Sequence, residues 1–193
     1  MLSLKESLKI LKETNALIEG HFILSSGLHS SKYVQCAQLM SKPRKAIKIC
    51  ESLANKIKEQ ISDFDLILSP AMGGIIVGYE LGKILNKQTI FAERVNSEFK
   101  LRRDFKIKRG IKVLIVEDVI TTGKSSLECS KLVKENNADI VGYACIIDRS
   151  NGKSEINDKI ISQVELDIPT YKKDNLPKEL LSIEAVKPGS RNL

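Results

Sequence analysis

One stretch of the chain reads Val113-Leu-Ile-Val-Glu-Asp-Val-Ile-Thr-Thr-Gly-Lys-Ser-Ser126. Its apolar residues predict a buried strand that runs into two adjacent acids, and the following Thr-Thr-Gly predicts a turn before a helix. In an open α/β sheet such a junction lies at the carboxyl end of a strand, where ligands bind. Amide groups and the dipole at the helix start favour an anion, and the acids can accept hydrogen bonds from sugar hydroxyls. The stretch therefore predicts a pocket for a ribose 5-phosphate.

On both sides of this junction, segments typical of strands alternate with segments typical of helices. Strands are expected at residues 21–24, 32–35, 65–68, 89–92 and 139–147, besides the one that begins at Val113. Helices are expected at residues 2–14, 74–85 and 124–135, and from Pro43 onwards. This order predicts an α/β fold with a mostly parallel, doubly wound sheet flanked by helices. The proline-containing segment after residue 150 is expected to be irregular and to wrap the surface.

Composition narrows the class of protein. With 193 residues, of which 42% are hydrophobic, the chain can bury one core and is expected to form a single domain. It has no apolar run near the roughly 18 residues that span a bilayer, and no signal segment opens it. Four cysteines without a CxxC pair and only two histidines do not fit a familiar zinc site. We expect a cytoplasmic protein with reduced thiols.

The formal net charge of +7 is compatible with nucleic acid, with a small polyanionic substrate or with a lysine-rich composition alone. Only 5% of the residues are aromatic, which leaves few groups on which bases could stack. The small polyanion is therefore preferred to nucleic acid.

Three other interpretations of residues 113–126 are possible. Gly123-Lys124-Ser125 imitates the end of a Walker A loop, but the first glycine of that loop would fall at Asp118. A Walker B strand would need a Walker A loop to complete it. An ordinary turn before a helix also carries acids and threonines, since these residues cap helices well. The two acids together with Thr-Thr-Gly in one turn favour the ligand-binding interpretation.

The same stretch resembles the signature of type I phosphoribosyltransferases that binds 5-phosphoribosyl-1-pyrophosphate (PRPP). Residues 20–33 resemble the N-terminal hood of the orotate branch, residues 70–75 its pyrophosphate loop and residues 147–150 its base-contacting strand end. Residues 187–191 are similar to its C-terminal tail. The resemblance covers essentially the whole chain. It implies one domain over residues 1–193, with a hood of about residues 1–40 plus the tail and a core of about residues 41–150.

The resemblance implies transfer of ribose 5-phosphate from PRPP to N1 of orotate, in pyrimidine synthesis, by a homodimer. Magnesium is expected to be held mainly through PRPP, without direct protein ligands. The implied PRPP-binding residues are Glu117, Asp118, Val119, Ile120, Thr121, Thr122, Gly123, Lys124, Ser125, Arg94, Met72, Gly73 and Gly74. The implied orotate-binding residues are Thr121, Arg149 and Ser26. The implied catalytic residues are Asp118, Lys100, Arg102 and Arg103.

Residues 95–109, called here the basic segment, carry six lysines and arginines. A charge run is usually a solvated face, whereas a loop of this length between two sheet strands is often a lid. The family resemblance favours a mobile loop that reaches the site of the partner subunit and brings a cation to the pyrophosphate. The segment lacks the histidine of the better-known family pattern, so Lys100, Arg102 and Arg103 remain alternatives for that cation. Ser25 stands where many relatives have lysine.

Two rival functions remain open. The first is a phosphoribosyltransferase that takes a purine or another acid as acceptor. The second is a PRPP-sensing regulator on the same fold, whose positive charge would serve nucleic acid. Such regulators usually add a DNA-binding segment or a basic helix, and neither is evident in this sequence.

Overall fold

The structure is a computed structural model that describes residues 1–24 and 26–188. Its centre is a six-stranded sheet in the order β5-β4-β3-β6-β7-β8. These strands are β3 (Leu66–Pro70), β4 (Gln88–Val95), β5 (Glu98–Leu101), β6 (Lys112–Ile120), β7 (Asp139–Asp148) and β8 (Ile160–Glu165). All neighbouring pairs are parallel except β4 and β5. The prediction of a mostly parallel α/β sheet is confirmed.

Helices cover both faces of this sheet, and alternate residues of β6 show why. Leu114 and Val116 pack into the core shared with the helices α3 and α4, whereas Val113 and Ile115 pack into the core shared with α5. A strand that is buried on both faces is apolar at every position, which explains its unbroken hydrophobic run. The helices are α1 (Leu4–Glu13), α2 (Cys36–Met40), α3 (Pro43–Gln60), α4 (Gly73–Leu85), α5 (Lys124–Glu135) and the short α6 (Lys178–Leu181).

The hood is a separate three-stranded antiparallel sheet. It contains β1 (Leu17–Ile23), β2 (His29–Val34) and the two-residue β9 (Thr170–Tyr171), in the order β1-β2-β9. The C-terminal segment joins its free edge, because the amide of Val186 donates to the carbonyl of His21 and the amide of Ile23 donates to that of Val186. The hood is therefore built from both ends of the chain.

A buried histidine pair ties these parts of the hood together. His21 Nδ1 lies 2.9 Å from the carbonyl oxygen of Ile183, and His21 Nε2 lies 2.7 Å from His29 Nδ1. Because a carbonyl can only accept, Nδ1 of His21 carries its proton and Nε2 accepts from His29 when both rings are neutral. The pair links β1 and β2 to the C-terminal segment.

Two expectations about the chain course are wrong. The segment after residue 150 is not uniformly irregular, since β8 extends the central sheet past the expected end of the core. Residues 160–165 contain no proline, and residues 161–164 are buried against α1 and α3. The basic segment is also not without structure: β5 pairs with β4 as a hairpin, because Phe99 is drawn into the core beside α5.

Candidate active site

The phosphate loop, residues 121–125, joins the carboxyl end of β6 to the start of α5. Gly123 lies just before the helix with φ +81°, a conformation that favours glycine. A Cβ at this position would lie only 2.7 Å from Cγ1 of Ile156. Gly123 has no side chain to cap α5, and the amide of Lys124 makes only a long hydrogen bond of 3.4 Å to Oγ1 of Thr122, so the first amides of the helix can still reach a ligand. This geometry fits the anion site expected from the sequence.

The segment that follows β7 supports the phosphate loop from behind. The amide of Glu155 donates to the carbonyl of Thr122 at 2.8 Å, next to the contact of Ile156 with Gly123. Immediately after β7, the amide of Arg149 donates to the carbonyl of Ile120. The ends of β6 and β7 and the loop between β7 and β8 are thus held as one unit. Glu155 and Ile156 were not singled out from the sequence, which carries no motif at these positions.

The two acids approach the edge of the sheet from opposite faces. Glu117 faces α5, where its Oε2 accepts a hydrogen bond of 2.6 Å from Ser126 Oγ. Asp118 faces the start of α4, and a Cβ on Gly73 would lie 2.4 Å from its Oδ1. Consecutive residues of a strand point to opposite faces, which explains the arrangement. The acids therefore flank the ligand edge, and Gly73 is required so that the pyrophosphate loop can pass Asp118.

Burial dominates the ionisation of both acids. It raises the pKa of Glu117 to about 7, with a smaller opposing effect from the hydrogen bond of Ser126 and a further increase from the charge of Asp118. Burial also raises the pKa of Asp118, whereas hydrogen bonds from backbone amides lower it. No described residue supplies a compensating cation to either carboxylate, so hydroxyl donors or a bound cation would stabilise the charged form.

The pyrophosphate loop, residues 71–74, connects β3 to α4. Its first amide, that of Ala71, donates to the carbonyl of Ala92 on β4, and the peptide bond between Ala71 and Met72 is cis. Gly74 lies against the backbone of β6, since an added Cβ would be 2.9 Å from the carbonyl oxygen of Val116. The structure therefore brings the predicted residues Met72, Gly73 and Gly74 to the same edge as the phosphate loop.

Arg149 lies immediately after β7 and is partly exposed, although its Nε atom is buried. Its Nε has no hydrogen-bond partner in the part of the chain that the structure describes. Burial lowers the pKa of this guanidinium, and the nearby phenol of Tyr33 on β2 acts in the opposite direction. A buried guanidinium with an unsatisfied donor is a strong site for a planar carboxylate. Tyr33 also places the hood beside this arginine.

The predicted cations of the β4–β5 hairpin are engaged elsewhere. Arg94 pairs with Glu128 at 2.8 Å, donates to the carbonyl of Ser97 and stacks on Phe99. Arg103 pairs with Glu93 at 3.0 Å, and Lys100 lies 3.6 Å from Glu98. Arg102 is exposed and makes no ion pair with any described residue.

The backbone next to Arg102 is also unusual. Arg103 and Asp104 both have positive φ, 56° and 57°, which residues with side chains seldom adopt. Such conformations concentrate at functional sites and switch segments. Lys100, Arg102 and Arg103 thus remain predictions as catalytic residues, and of these three only Arg102 forms no ion pair with a described residue.

Ser26 is exposed in the turn between β1 and β2, and its described contact is local, from the amide of Leu28 at 3.4 Å. Its role towards orotate stays a prediction. Ser25 and the tail residues 189–191 lie outside the described residues. Ser126 was missed, although a signal was present: it shares the buried face of α5 with Cys129 and Val133, and a hydroxyl on such a face needs a partner.

Residues 38–175 match the family model described as "Phosphoribosyl transferase domain". An orotate phosphoribosyltransferase of Parvibaculum lavamentivorans is 45% identical over 189 residues, which cover 96% of this chain and 97% of that protein. An orotate phosphoribosyltransferase of Rhizorhabdus wittichii is 46% identical over 181 residues, covering 93% and 92% of the two chains.

Solved structures share the fold. The orotate phosphoribosyltransferase of Aeropyrum pernix superposes with a TM-score of 0.72 at 23% identity, over 82% of this chain and 92% of that one. The Leishmania donovani UMP synthase gives 0.71 at 20% identity, over 83% of this chain and 36% of that one. Together with the family model and the relatives above, these matches show that the chain belongs to the phosphoribosyltransferase family, in the branch of the orotate phosphoribosyltransferases.

Proposed function

We propose that this chain transfers ribose 5-phosphate from PRPP to N1 of orotate, giving orotidine 5′-monophosphate and pyrophosphate in pyrimidine synthesis. The observation that carries the proposal is the arrangement at the ends of β6 and β7. An open helix start, two carboxylates and a buried guanidinium with a free Nε lie on neighbouring strand ends. These groups match a phosphate, a ribose diol and a carboxylate.

The phosphate loop would hold the 5′-phosphate through the amides at the start of α5 and the hydroxyls of Thr121, Thr122 and Ser125. Lys124 is exposed and can add a positive charge. Val119 and Ile120 would fix the loop through the strand pairing of β6 with β7. Glu117 and Asp118 would accept hydrogen bonds from the ribose hydroxyls on either side of the sheet edge. Such contacts orient C1 of the sugar towards the incoming base.

The reaction breaks the bond between C1 and the pyrophosphate oxygen and forms a bond between C1 and N1 of orotate, which releases its proton. Positive charge develops on the sugar, while negative charge grows on the departing pyrophosphate. Amides of the pyrophosphate loop would stabilise that negative charge, and the closely placed Asp118 carboxylate would stabilise the sugar cation. The chain supplies orientation and electrostatics, and the proposal needs no protein nucleophile.

A magnesium ion fits this site through the substrate. The described residues include no group of three or more His, Cys, Asp or Glu that could hold a metal ion. Two carboxylates that bind hydroxyls beside a diphosphate nevertheless suit a strongly hydrated cation bound mainly by PRPP oxygens. When bound, the ion would neutralise charge on the leaving group.

Arg149 and the hood would select the base. The guanidinium of Arg149 would take the orotate carboxylate in a two-pronged contact, with Thr121 and Ser26 as further polar contacts. Under this proposal the hood and the core act as one domain, because the base would lie between Tyr33 of β2 and the end of β7.

We further propose a homodimer in which the basic segment reaches the partner's site. Three exposed apolar side chains run from the pyrophosphate loop along α4: Met72 of the loop and Ile76 and Tyr79 of the helix are 83%, 54% and 66% exposed. A second copy that covers this surface would stand next to the pyrophosphate site. Arg102 would then be the cation brought to the leaving group.

No helix of the described chain has the length and hydrophobicity needed to cross a membrane. A cytoplasmic location is part of the proposal and is supported by the four buried, unpaired cysteines, which a reducing compartment maintains.

The test is a base panel with PRPP and magnesium, in which orotate, uracil, adenine, hypoxanthine and nicotinate are compared for pyrophosphate release. Orotate is expected to be the preferred acceptor. Turnover of another base without orotate would replace the proposed acceptor, and PRPP binding with steep salt-dependent duplex binding but no turnover would favour a regulator.

The Arg149→Ala variant sharpens this test. Its KM for orotate is expected to rise about tenfold or more, as for the loss of a charged hydrogen bond, with little change in the KM for PRPP. An equal loss for both substrates would argue against the carboxylate contact.

A further inference from the structure

A buried hydroxyl chain lies behind Glu117. Ser126 is fully buried and its Oγ donates to Glu117 Oε2 at 2.6 Å. One helical turn later, Ser130 Oγ donates to the carbonyl of Ser126 at 2.9 Å and lies 2.7 Å from the phenol of Tyr143. Because Ser130 has one hydroxyl proton, Tyr143 must be the donor to it. Ser126 is therefore fixed through both its carbonyl and its hydroxyl.

The hydrogen bond from Ser126 restricts the long side chain of Glu117. A free glutamate side chain has several rotamers, and each costs entropy to fix when a ligand binds. With Oε2 held by Ser126, the carboxylate is already oriented and Oε1 can accept from a ribose hydroxyl, while the nearby Ser125 hydroxyl also lowers the pKa of Glu117. A preorganised acceptor binds more tightly than one that must be ordered by the substrate.

We propose that Ser126 is a positioning residue for the ribose of PRPP, acting through the carboxylate of Glu117. The inference rests on the proposed function only in the identity of the ligand. A serine on the buried face of α5 would otherwise need no acid as a partner, since hydroxyls in helices commonly bond the carbonyl one turn earlier, as Ser130 does.

The charge of Glu117 supplies a readout that packing alone would not move. Burial raises its pKa to about 7, and the Ser126 hydrogen bond opposes this effect. Loss of that bond would raise the pKa further, so fewer molecules would carry the carboxylate at neutral pH. A protonated carboxyl offers one poorer acceptor to the ribose. The defect should therefore be largest near pH 7 and shrink as the pH rises.

Three other titratable groups lie near Glu117. They are its neighbour Asp118, Cys129 of α5 and Cys145 of β7. Burial raises the pKa of Cys129 to about 12 and that of Cys145 well above its ordinary value, so both thiols stay neutral over the tested range. Asp118 is unchanged in the Ser126, Ser130 and Glu117 variants that are compared next.

The experiment compares Ser126→Ala with Ser130→Ala, the same deletion one turn further along α5. We expect kcat/KM for PRPP to fall roughly tenfold in Ser126→Ala at pH 7, with recovery towards the wild-type value near pH 9. The KM for orotate and the melting temperature should change little. Ser130→Ala should show no pH-dependent loss. A loss in Ser126→Ala that is constant across pH, or no loss at all, would overturn the proposal.

A double-mutant cycle on PRPP affinity, measured calorimetrically with magnesium, gives a second and independent test. In a Glu117→Ala background there is no carboxylate to position, so adding Ser126→Ala should change the affinity less than twofold. A further tenfold loss would assign Ser126 a role apart from Glu117. Because this readout needs only PRPP binding, it stands even if orotate proves not to be the acceptor.

Discussion

The phosphate loop and the basic segment hold their charged groups in opposite ways. Beside the phosphate loop, Glu117 is partly buried, hydrogen-bonded and raised in pKa, and the loop itself is supported by the contact of Ile156 with Gly123. In the basic segment the cations are exposed: Lys100 and Arg103 form ion pairs at the surface, and Arg103 also lies over the ring of Phe91. Surface ion pairs contribute little, commonly under about 1 kcal/mol, and can be exchanged. Under the proposed function, the sugar-phosphate site would be preformed, whereas the cation for the leaving group would still have to be delivered.

The largest expected effect concerns that delivery. Arg102→Ala should lower kcat by about a hundredfold or more, because it would remove the cation that meets the growing charge on pyrophosphate. Lys100→Ala is the matched control from the same hairpin and should stay within a few-fold of the wild type. Steady-state kinetics with both substrates saturating decides between them. A larger loss in Lys100→Ala or Arg103→Ala would move the cation to that residue.

Mixing two inactive variants tests whether the segment serves the partner subunit. Arg102→Ala and Asp118→Asn subunits, after dissociation and reassociation, should recover about a quarter of wild-type activity, since half of the dimers would contain one intact shared site. No recovery despite confirmed mixed dimers would show that each subunit uses its own segment.

On the preformed side, Asp118→Asn should reduce kcat/KM for PRPP by about a hundredfold, as two hydrogen bonds to a charged group are weakened. Folding should be spared, because burial already raises the pKa of this acid and disfavours its charge. Asp139→Asn, at the exposed far end of β7, is the control and should retain activity. Unchanged PRPP affinity in Asp118→Asn would remove the diol assignment.

The two regions differ in how much of their structure could be predicted from the sequence. The apolar run, the paired acids and the glycine of residues 113–126 are local patterns, and they predicted the strand, the turn and the helix together. The hairpin of β5 with β4 is local, but its polar and basic residues indicated a loop. The sheet strand β8 and the contact of Ile156 with Gly123 depend on segments that are distant in the chain. Such contacts leave no local periodicity or motif.

Gly123→Ala probes the rigidity of the phosphate loop. The substitution combines a positive φ with a Cβ contact of 2.7 Å to Ile156, so it should lower the free energy of unfolding by about 2 kcal/mol and weaken PRPP binding. Gly152→Ala has a similar φ of +70° but open space around the added methyl group. It should cost about 1 kcal/mol and leave PRPP binding intact. Urea unfolding and calorimetry measure both quantities, and equal effects of the two changes would exclude the Ile156 contact as the cause.

The last expected effect concerns how the free energy of unfolding depends on pH. The folded-state pKa of Glu117, about 7, lies above the ordinary value of 4.5, so the folded protein holds this proton more firmly. The associated stability is present at low pH and is lost as the pH rises from about 4.5 to 7. Glu117→Gln should therefore raise the free energy of unfolding by about 2 kcal/mol at pH 8, less than the whole pKa difference because the carboxyl is partly open to solvent. The gain should vanish near pH 4.5, and an equal gain at both pH values would contradict this origin.

Titration calorimetry of PRPP into the wild-type protein with magnesium is the most direct test of the preformed site. We expect one PRPP molecule to bind per chain in the absence of any base, with an affinity that Asp118→Asn strongly reduces. Absence of any binding heat from PRPP at several temperatures, in a protein shown to be folded, would contradict it.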